Sequence, residues 1–266
     1  MTKLGIIGGG VMGEALLSRL IVQGVYLPNE VLVSDCSQER LTFLAECHKV
    51  RVTEDNQAVA ASTEILLLAI KPQAFEAAIL GLKVTQNINV LVVSILAGVP
   101  LAKLESAFPG QPVIRAMPNT PAIVGAGVTA IAAGQHTTST HLEQARAIFG
   151  AVGEVVEVPE SLMDAVTGLS GSGPGFVAIA IEALTDGGVA AGLPRAIAAK
   201  LAVQTVRGTA QLLQESAMHP AELKDRVTSP GGTTIAGIAA LEKSGFRSAL
   251  ISAVQSAYQR SQELGG

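Results

Sequence analysis

Short apolar runs alternate with segments of helical period in the first part of the chain. Several of these runs are apolar at nearly every position rather than at every second one. Such runs are typical of strands buried on both faces, as in a parallel sheet covered by helices. Strands are predicted at residues 3–7, 31–35, 65–70, 90–95, 113–115, 128–133 and 154–158, with helices at 14–23 and 39–45.

The alternation of strand and helix predicts a doubly wound, mostly parallel α/β sheet of the Rossmann type for residues 1–159. The pattern changes near Pro159, after which no strand is predicted, so residues 160–266 are predicted to form an all-helical second domain. Pro194 is predicted to open one of its helices at the first helical position. An apolar stripe of four-residue spacing follows the last helix, at Phe246, Leu250, Val254 and Tyr258.

The composition excludes several classes of protein. Hydrophobic residues make up 48% of the 266 residues, but aromatic residues only 3% and charged residues 15%. A chain this rich in aliphatic side chains is not disordered, and one so poor in aromatic rings does not stack on single-stranded nucleic acid. The formal net charge of −4 predicts no attraction to nucleic acid or to anionic membranes.

A long apolar stretch covers residues 176–193, but Glu182 and Asp186 interrupt it. We interpret it as a buried helix rather than a membrane span, and its glycines, Gly187, Gly188 and Gly192, predict close packing against another subunit. The chain enters a predicted strand after Met-Thr-Lys, so we expect no signal peptide and a cytoplasmic protein.

The cysteines and histidines show no ligand pattern. Cys36 and Cys47 form no CxxC motif, which favours a reducing compartment. The four histidines share no ligand spacing with each other or with the cysteines, so we expect no metal site.

A glycine motif follows the first predicted strand and precedes the first helix. Gly8, Gly10 and Gly13 fit G-x-G-x-x-G within the sequence Gly8-Gly9-Gly10-Val11-Met12-Gly13. In a dinucleotide site the first glycine permits the tight turn, the second lets a pyrophosphate approach the backbone, and the third lets the helix pack on the strand. The alternative is a glycine-rich turn with a purely structural role.

Asp35 lies at the end of the second predicted strand, beyond the last glycine of the motif. An acid here accepts hydrogen bonds from the adenosine ribose and repels a 2′-phosphate, which favours NAD(H). Ser34, Ser37 and Arg40 are close in sequence and could instead hold the phosphate of NADP(H). Asp35 could also be a helix N-cap or a turn residue.

Two further loops follow predicted strands at the sheet edge that binds ligands in such folds. The first contains Ala69, Lys71 and Pro72, and Lys71 could equally be a solvated surface residue. The second presents Asn119 between two prolines, where its amide could orient a nicotinamide or a substrate. A turn-forming role for Asn119 is an equal alternative.

Two polar, glycine-rich segments stand out in the helical domain, at residues 167–175 and 228–234. The second precedes a helix predicted to begin at about Ile235, and free N–H groups at a helix start attract an anion such as a carboxylate. The alternatives are a flexible linker for the first segment and an ordinary capped helix start for the second.

In these motifs the chain resembles the pyrroline-5-carboxylate reductase family. The resemblance rests on the glycine loop, Ala-Ile-Lys-Pro at 69–72, Arg-Ala-Met-Pro-Asn-Thr-Pro at 115–121, and Gly-Leu-Ser-Gly-Ser-Gly-Pro at 168–174. It continues through His-Pro at 219–220 and Lys-Asp at 224–225 to Ser-Pro-Gly-Gly-Thr-Thr at 229–234, and ends with Gly-Phe-Arg at 245–247. These segments span nearly the whole chain.

The resemblance implies hydride transfer from NAD(P)H to the C=N carbon of 1-pyrroline-5-carboxylate, which gives L-proline in the last step of proline synthesis. It also implies that the helical domains form a homodimer, often built into a larger ring such as a decamer. Family members mostly prefer NADPH, and Asp35 departs from the small or basic residues common at its position.

The expected site residues are assigned from the motifs and the resemblance together. Expected cofactor contacts are the glycine loop (Gly8, Gly9, Gly10, Val11, Met12, Gly13) with Ser34, Asp35, Asn56, Ala69, Lys71 and Pro72. Expected substrate contacts are Asn119, Ser229, Gly231, Gly232, Thr233 and Thr234. The resemblance places the Thr234 hydroxyl against the ring nitrogen of the substrate.

The residues of the 229–234 loop are compatible with imine reduction. The reaction needs mainly positioning of the hydride donor, and a free imine can arrive already protonated. The loop contains no His, Lys or carboxylate, so we expect Thr234 to orient the ring nitrogen rather than to supply bulk protons.

The sequence also raises two functions other than imine reduction. A β-hydroxyacid dehydrogenase shares the architecture and would need a catalytic lysine, but neither candidate, Lys200 or Lys224, lies in the sequence pattern of that family. A non-catalytic dinucleotide sensor would keep the glycine loop and lose the 229–234 loop, so the presence of that loop argues against a sensor.

Overall fold

The computed structural model describes residues 2–61, 63–82 and 90–265. The chain forms two compact units, Met1–Ser172 with Ser256–Gly266, and Gly173–Gln255. The first unit extends past Pro159 because Met163 and Val166 pack in the core on one side of the sheet. The domain boundary near Pro159 stays a prediction.

The first unit contains one mostly parallel sheet of eight strands in the order β3-β2-β1-β4-β5-β6-β7-β8. Each neighbouring pair is parallel except β6 and β7, which are antiparallel. The doubly wound sheet predicted from the sequence is therefore confirmed. The strands are β1 (Leu4–Ile7), β2 (Val31–Ser34), β3 (Arg51–Thr53), β4 (Ile65–Leu68), β5 (Leu91–Ser94), β6 (Val113–Met117), β7 (Gly127–Ala133) and β8 (Gly153–Glu157).

Strand β3 is missing from the sequence prediction, and several predicted strand ends are wrong. Strand β3 is a short edge strand whose Arg51 is exposed, so it carries no apolar run to reveal it. Strand β2 ends at Ser34 and β4 ends at Leu68, each earlier than predicted.

Helices cover the sheet and build the second unit. They are α1 (Val11–Val22), α2 (Gln38–His48), α3 (Asn56–Ala61), α4 (Phe75–Ile79), α5 (Leu101–Ala107), α6 (Ser139–Gly150), α7 (Met163–Val166), α8 (Gly173–Ala190), α9 (Arg195–Ser216), α10 (Pro220–Arg226), α11 (Thr233–Lys243) and α12 (Phe246–Gly265).

Four helix starts differ from the prediction, that of α2 by one residue, since it begins at Gln38. Helix α1 begins at Val11 rather than at residue 14, directly after the glycine loop, and α11 begins at Thr233 rather than at Ile235. Pro194 is the N-cap of α9 instead of its first helical residue. The polar segment at 167–175 is not an open loop, because Thr167–Gly171 forms a π-helical turn that leads into α8.

The core of the first unit consists of two apolar clusters that share the strands. In β4, Ile65 and Leu67 belong to one cluster, and Leu66 and Leu68 to the other. Because side chains alternate between the faces of a strand, both faces of the sheet are buried, as the unbroken apolar runs predicted. Full burial of one such leucine contributes about 1.5–3 kcal/mol to folding.

The second unit has little core of its own. In residues 173–255, all of which the structure describes, only Thr185, Ala198 and Ala202 are buried. Helix α8, expected to be a buried helix, is mostly exposed in the single chain, where Ile179 has 67% of its surface exposed. Part of its surface packs on α9 through Gly188, where an added Cβ would lie 3.0 Å from that of Ala198. In the described parts of the chain, no helix is both long and apolar enough to cross a bilayer.

Candidate functional site

The glycine loop connects β1 to α1 and has the conformation that a dinucleotide turn requires. Gly8 has a φ of +104°, and an added Cβ would lie 2.6 Å from the Ala69 carbonyl oxygen. A Cβ on Gly13 would collide with the carbonyl oxygen of Gly8. Both positions therefore require glycine, and the role predicted for each is consistent with this geometry.

Gly10 differs from the other two glycines because it is exposed and open. Among the described residues, no non-neighbouring atom lies within 4 Å of the place that a Cβ on Gly10 would occupy. This open space adjoins the N-terminus of α1, where unpaired N–H groups and the helix dipole favour a phosphate. The residues present therefore fit a dinucleotide pyrophosphate. Val11 and Met12 occupy the first positions of the helix, and Val11 is exposed.

Asp35 and Arg40 hold Gly9 from two sides. The Asp35 carboxylate accepts a hydrogen bond from the Gly9 N–H at 2.8 Å and another from the Ser37 N–H at 2.9 Å. Arg40 Nε donates to the Gly9 carbonyl oxygen at 2.5 Å, and its other end pairs with Glu14. The helix N-cap of α2 is Ser37, so Asp35 is not that cap. The sequence predicts the position of Asp35 at this edge, but it does not predict the pairing between Arg40 and Glu14.

Ser34 and Asn56 meet beneath this edge. Ser34 is fully buried, and its hydroxyl donates to Asn56 Oδ1 at 2.7 Å, while Asn56 Nδ2 donates to the Ala78 carbonyl oxygen at 3.3 Å. These bonds fix the start of α3 against the end of β2. Both residues therefore lie beside the expected cofactor site with their polar atoms engaged by the protein.

The loop after β4 borders the glycine loop. The Ala69 N–H donates to the Ile7 carbonyl oxygen at 2.8 Å, and the Ala69 carbonyl lies against Gly8. Lys71 is exposed and is followed by Pro72 at the start of a short 3₁₀ turn. The structure thus brings Ala69 to the glycine loop, with Lys71 and Pro72 on the outer side of the same edge.

Asn119 joins three segments of the first unit. Its Oδ1 accepts a hydrogen bond from the Val128 N–H at 2.9 Å, and its Nδ2 donates to the Ser170 carbonyl oxygen at 3.1 Å. The amide therefore ties the loop after β6 to β7 and to the π-helical turn. The structure engages both ends of the amide within the protein.

The second polar loop leads into α11. Gly231 has a φ of +67°, and the Gly232 N–H donates to the Ser229 carbonyl oxygen at 3.1 Å, which forms a tight turn. A Cβ on Gly232 would collide with the Ser229 hydroxyl. Ser229 and Thr233 are exposed and Thr234 is half-buried. This loop belongs to the second unit.

Glu76 in α4 pairs with Lys103, whose hydrogen bond and charge hold the pKa of the carboxyl below its usual range. Among the described residues, no three His, Cys, Asp or Glu side chains are grouped as they would be around a metal ion.

Comparison with known proteins divides the chain into two matching regions. Residues 160–264 match a family model described as pyrroline-5-carboxylate reductase dimerisation. Residues 3–98 match one described as NADP oxidoreductase, coenzyme F420-dependent. A pyrroline-5-carboxylate reductase of Synechocystis is 60% identical over 99% of this chain and 98% of its own length. The chain belongs to the pyrroline-5-carboxylate reductase family.

Solved reductase structures agree with this assignment. The pyrroline-5-carboxylate reductase of Coxiella burnetii superposes with a TM-score of 0.93 and 34% identity, covering 100% of this chain and 99% of that one. The Plasmodium falciparum pyrroline carboxylate reductase, solved with NADP bound, gives a TM-score of 0.89 and 30% identity over 100% of this chain and 98% of that one.

Membership of the pyrroline-5-carboxylate reductase family confirms four expectations from the sequence. They are the family itself, the Rossmann sheet with a helical dimerisation domain, the class of nicotinamide-dependent oxidoreductase, and the nicotinamide dinucleotide cofactor. The β-hydroxyacid dehydrogenase and the dinucleotide sensor are not favoured.

Proposed function

We propose that this protein reduces 1-pyrroline-5-carboxylate to L-proline with NADH or NADPH, the last step of proline biosynthesis. The observation that carries the proposal is the turn at 229–234, which leads into the exposed start of α11. The segment offers backbone donors and hydroxyl groups without any ionisable side chain. Such a surface suits a substrate that brings its own carboxylate and its own protonated nitrogen.

The start of α11 supplies the donors for the substrate carboxylate. The first N–H groups of a helix have no partner within the helix, and the helix dipole favours a negative charge there. The positive φ of Gly231 and the close approach of Gly232 to Ser229 shape the turn before these donors. In this proposal Ser229, Gly231, Gly232 and Thr233 hold the carboxylate.

Thr234, a half-buried residue, orients the ring nitrogen through its hydroxyl. When bound, the reduced nicotinamide supplies a hydride, that is, one hydrogen with two electrons. The C=N carbon receives the hydride and the nitrogen keeps the proton with which it arrived, so that the imine becomes a secondary amine. The protein must align the two reactants, and alignment alone can account for a large part of a rate enhancement.

The residues at the sheet edge hold the cofactor in this proposal. The glycine loop takes the pyrophosphate at Gly10, and Asp35 lies where the adenosine ribose is expected. Lys71, Pro72 and Ala69 border the same edge from the loop after β4, and Ser34 with Asn56 supports it from below. Because both ends of its amide are engaged, we propose that Asn119 positions its loop instead of binding substrate through free amide groups.

We also propose a homodimer formed through the helical unit, with a larger ring such as a decamer as a further assembly. The support is the poor core of that unit and its many exposed large apolar side chains, since monomers rarely expose so large an apolar surface. Replacement of Ile179 on α8 by Asp should shift the sedimentation of the protein towards smaller species. The matched variant Val22→Asp, on an exposed position of α1, should leave sedimentation unchanged, and a wild-type monomer at micromolar concentration would contradict the dimer.

We place the reaction in the cytoplasm because Cys36 and Cys47 are both exposed free thiols, which suits a reducing compartment. The experiment that tests the function follows the oxidation of NADH and of NADPH at saturating 1-pyrroline-5-carboxylate, with 3-hydroxyacids and NAD(P)⁺ in parallel. We expect turnover with the imine and none with the 3-hydroxyacids. Absence of turnover with the imine under both cofactors would overturn the proposal.

A further inference from the structure

Three groups close to the expected ribose site could have held a 2′-phosphate, and each already bonds within the protein. The buried Ser34 hydroxyl donates to Asn56. The Ser37 hydroxyl caps α2 by accepting from the Arg40 N–H at 3.3 Å, so that only its O–H hydrogen remains to bind a ligand. The Arg40 guanidinium bonds the Gly9 carbonyl oxygen and pairs with Glu14, and it lies 4.8 Å from the centre of the Phe43 ring.

Asp35 is held in place at the same edge. Its two oxygens accept from the Gly9 and Ser37 N–H groups, so the carboxylate is tied both to the glycine loop and to the start of α2. A carboxylate has about four lone-pair sites, and two of these bonds leave capacity for ribose hydroxyls. The Ser37 N–H, itself a potential phosphate donor, is taken by Asp35.

The local charge balance is also unfavourable to a phosphate. Glu14 pairs with Arg40, whose Nε donates to the Gly9 carbonyl oxygen, and Glu39 adds a further exposed acid in the first turn of α2. A 2′-phosphate carries close to two negative charges at neutral pH. It would enter a site whose fixed carboxylate repels it and whose guanidinium is already paired.

We propose that Asp35, fixed by Gly9 and Ser37, makes this enzyme prefer NADH to NADPH. The inference deepens the proposed function, because it concerns the cofactor site assigned there. The 2′- and 3′-hydroxyls of NADH can donate to the Asp35 carboxylate, whereas the phosphate of NADPH can only be repelled by it. The scaffold of the family accepts NADP, as the Plasmodium relative shows for itself, so the preference belongs to the side chains at this edge of the chain.

Binding in the absence of imine tests the preference without relying on catalysis. Titration calorimetry of the full-length protein should give a dissociation constant for NADH at least about tenfold lower than that for NADPH. The adenosine halves isolate the subsite, so 5′-AMP should bind more tightly than 2′,5′-ADP. Tighter binding of NADPH than of NADH, or equal binding, would overturn the proposal.

Two variants assign the preference to Asp35. Asp35→Ser removes the carboxylate, and Asp35→Asn removes the charge while one side-chain oxygen can still accept from Gly9. The ratio of the two dissociation constants should move towards NADPH by about tenfold in both variants. The ratio distinguishes the loss of the Asp35 charge from a general loosening of the glycine loop, because loosening would weaken the binding of both cofactors together.

Glu46→Gln is the matched control, because it removes one negative charge from an exposed position further along α2. It should keep the wild-type ratio. An unchanged ratio in both Asp35 variants, or an equal change in the control, would overturn the role of Asp35. Imine reduction with a preference for NADPH would sink this inference and leave the proposed function standing, whereas NADH-selective binding without imine turnover would do the reverse.

Discussion

Asn119 and Ser170, separated by 51 positions in the sequence, are joined by a hydrogen bond from the Asn119 amide to the Ser170 carbonyl oxygen. The same side chain accepts from Val128, so one amide holds the loop after β6 against both β7 and the π-helical turn. The bond connects the loop after β6 to the π-helical turn that leads into α8. Such turns are frequent at functional sites.

Replacement of Asn119 tests this connection. Asn119→Ala should lower the free energy of unfolding by about 1–3 kcal/mol, because it leaves partly buried partners without their bonds. Asn119→Asp keeps an acceptor for Val128 but sets a carboxylate oxygen against the Ser170 carbonyl oxygen, so a loss at least as large is expected. Denaturant unfolding measures both variants. A raised KM for the imine at unchanged stability would instead make Asn119 a direct substrate ligand.

Gly10 and Gly13 of the glycine loop should respond differently to replacement by alanine. Gly10→Ala should fold with wild-type stability, since its Cβ would enter open space, but should weaken cofactor binding by about tenfold or more. Gly13→Ala should lower the free energy of unfolding by about 1–3 kcal/mol, because its Cβ would meet the Gly8 carbonyl. Thermal unfolding and calorimetric titration with NADH separate the two effects. Equal cofactor affinity in Gly10→Ala and wild type would remove Gly10 from the site.

Thr234 tests the assignment of the substrate loop. Thr234→Val keeps the shape of the side chain and removes its hydroxyl, so kcat for imine reduction should fall about 10- to 100-fold through loss of alignment. Cofactor affinity should stay as in wild type. Thr42→Val makes the same chemical change at an exposed position of α2 and should keep full activity. Unchanged turnover in Thr234→Val would remove Thr234 from the mechanism.

His141 makes a pH-dependent contribution to the stability of the first unit. Its Nδ1 accepts from the Thr138 N–H at 3.1 Å at the start of α6, and partial burial lowers its pKa below the ordinary value of 6.5. The neutral ring is therefore favoured in the folded state, and protonation also removes the acceptor. The contribution is complete above about pH 6.5 and is lost as the pH falls through the lowered pKa.

Gln at position 141 supplies a similar acceptor that does not titrate. Between about pH 7 and pH 5, His141→Gln should therefore lose less of its free energy of unfolding than wild type. Denaturant unfolding across this range measures the difference. The control variant His136→Gln changes an exposed histidine and should follow the wild-type curve. A wild-type slope in His141→Gln would contradict the assignment.

The sequence predicted those features that depend on local chemistry. Gly8 and Gly13 are recognisable because the backbone there excludes a side chain, and the apolar runs are recognisable because both faces of the sheet are buried. Asp35 was placed at the correct edge by its position at the end of β2. In each case the segment whose sequence makes the prediction is the segment that forms the predicted structure.

The features that the sequence did not reveal depend on distant partners. Arg40 resembles a phosphate ligand until Glu14 and Gly9 are seen to hold it, and Ser34 is engaged by Asn56 from another helix. Edge strand β3 lacks an apolar run. The apolar run and the glycines of α8 predict a helix packed against another subunit, and that helix is exposed in the single chain. The sequence does not show which residues of another copy would cover it.

The central claim is that a hydride passes from the nicotinamide to the imine carbon while the chain holds both reactants. The most direct measurement uses reduced cofactor in which deuterium replaces both hydrogens on C4 of the nicotinamide ring, with unlabelled 1-pyrroline-5-carboxylate and wild-type protein. Mass spectrometry and NMR should find L-proline with one deuterium on the carbon that was double-bonded to nitrogen. Proline without deuterium, or oxidation of the cofactor without formation of proline, would contradict the account.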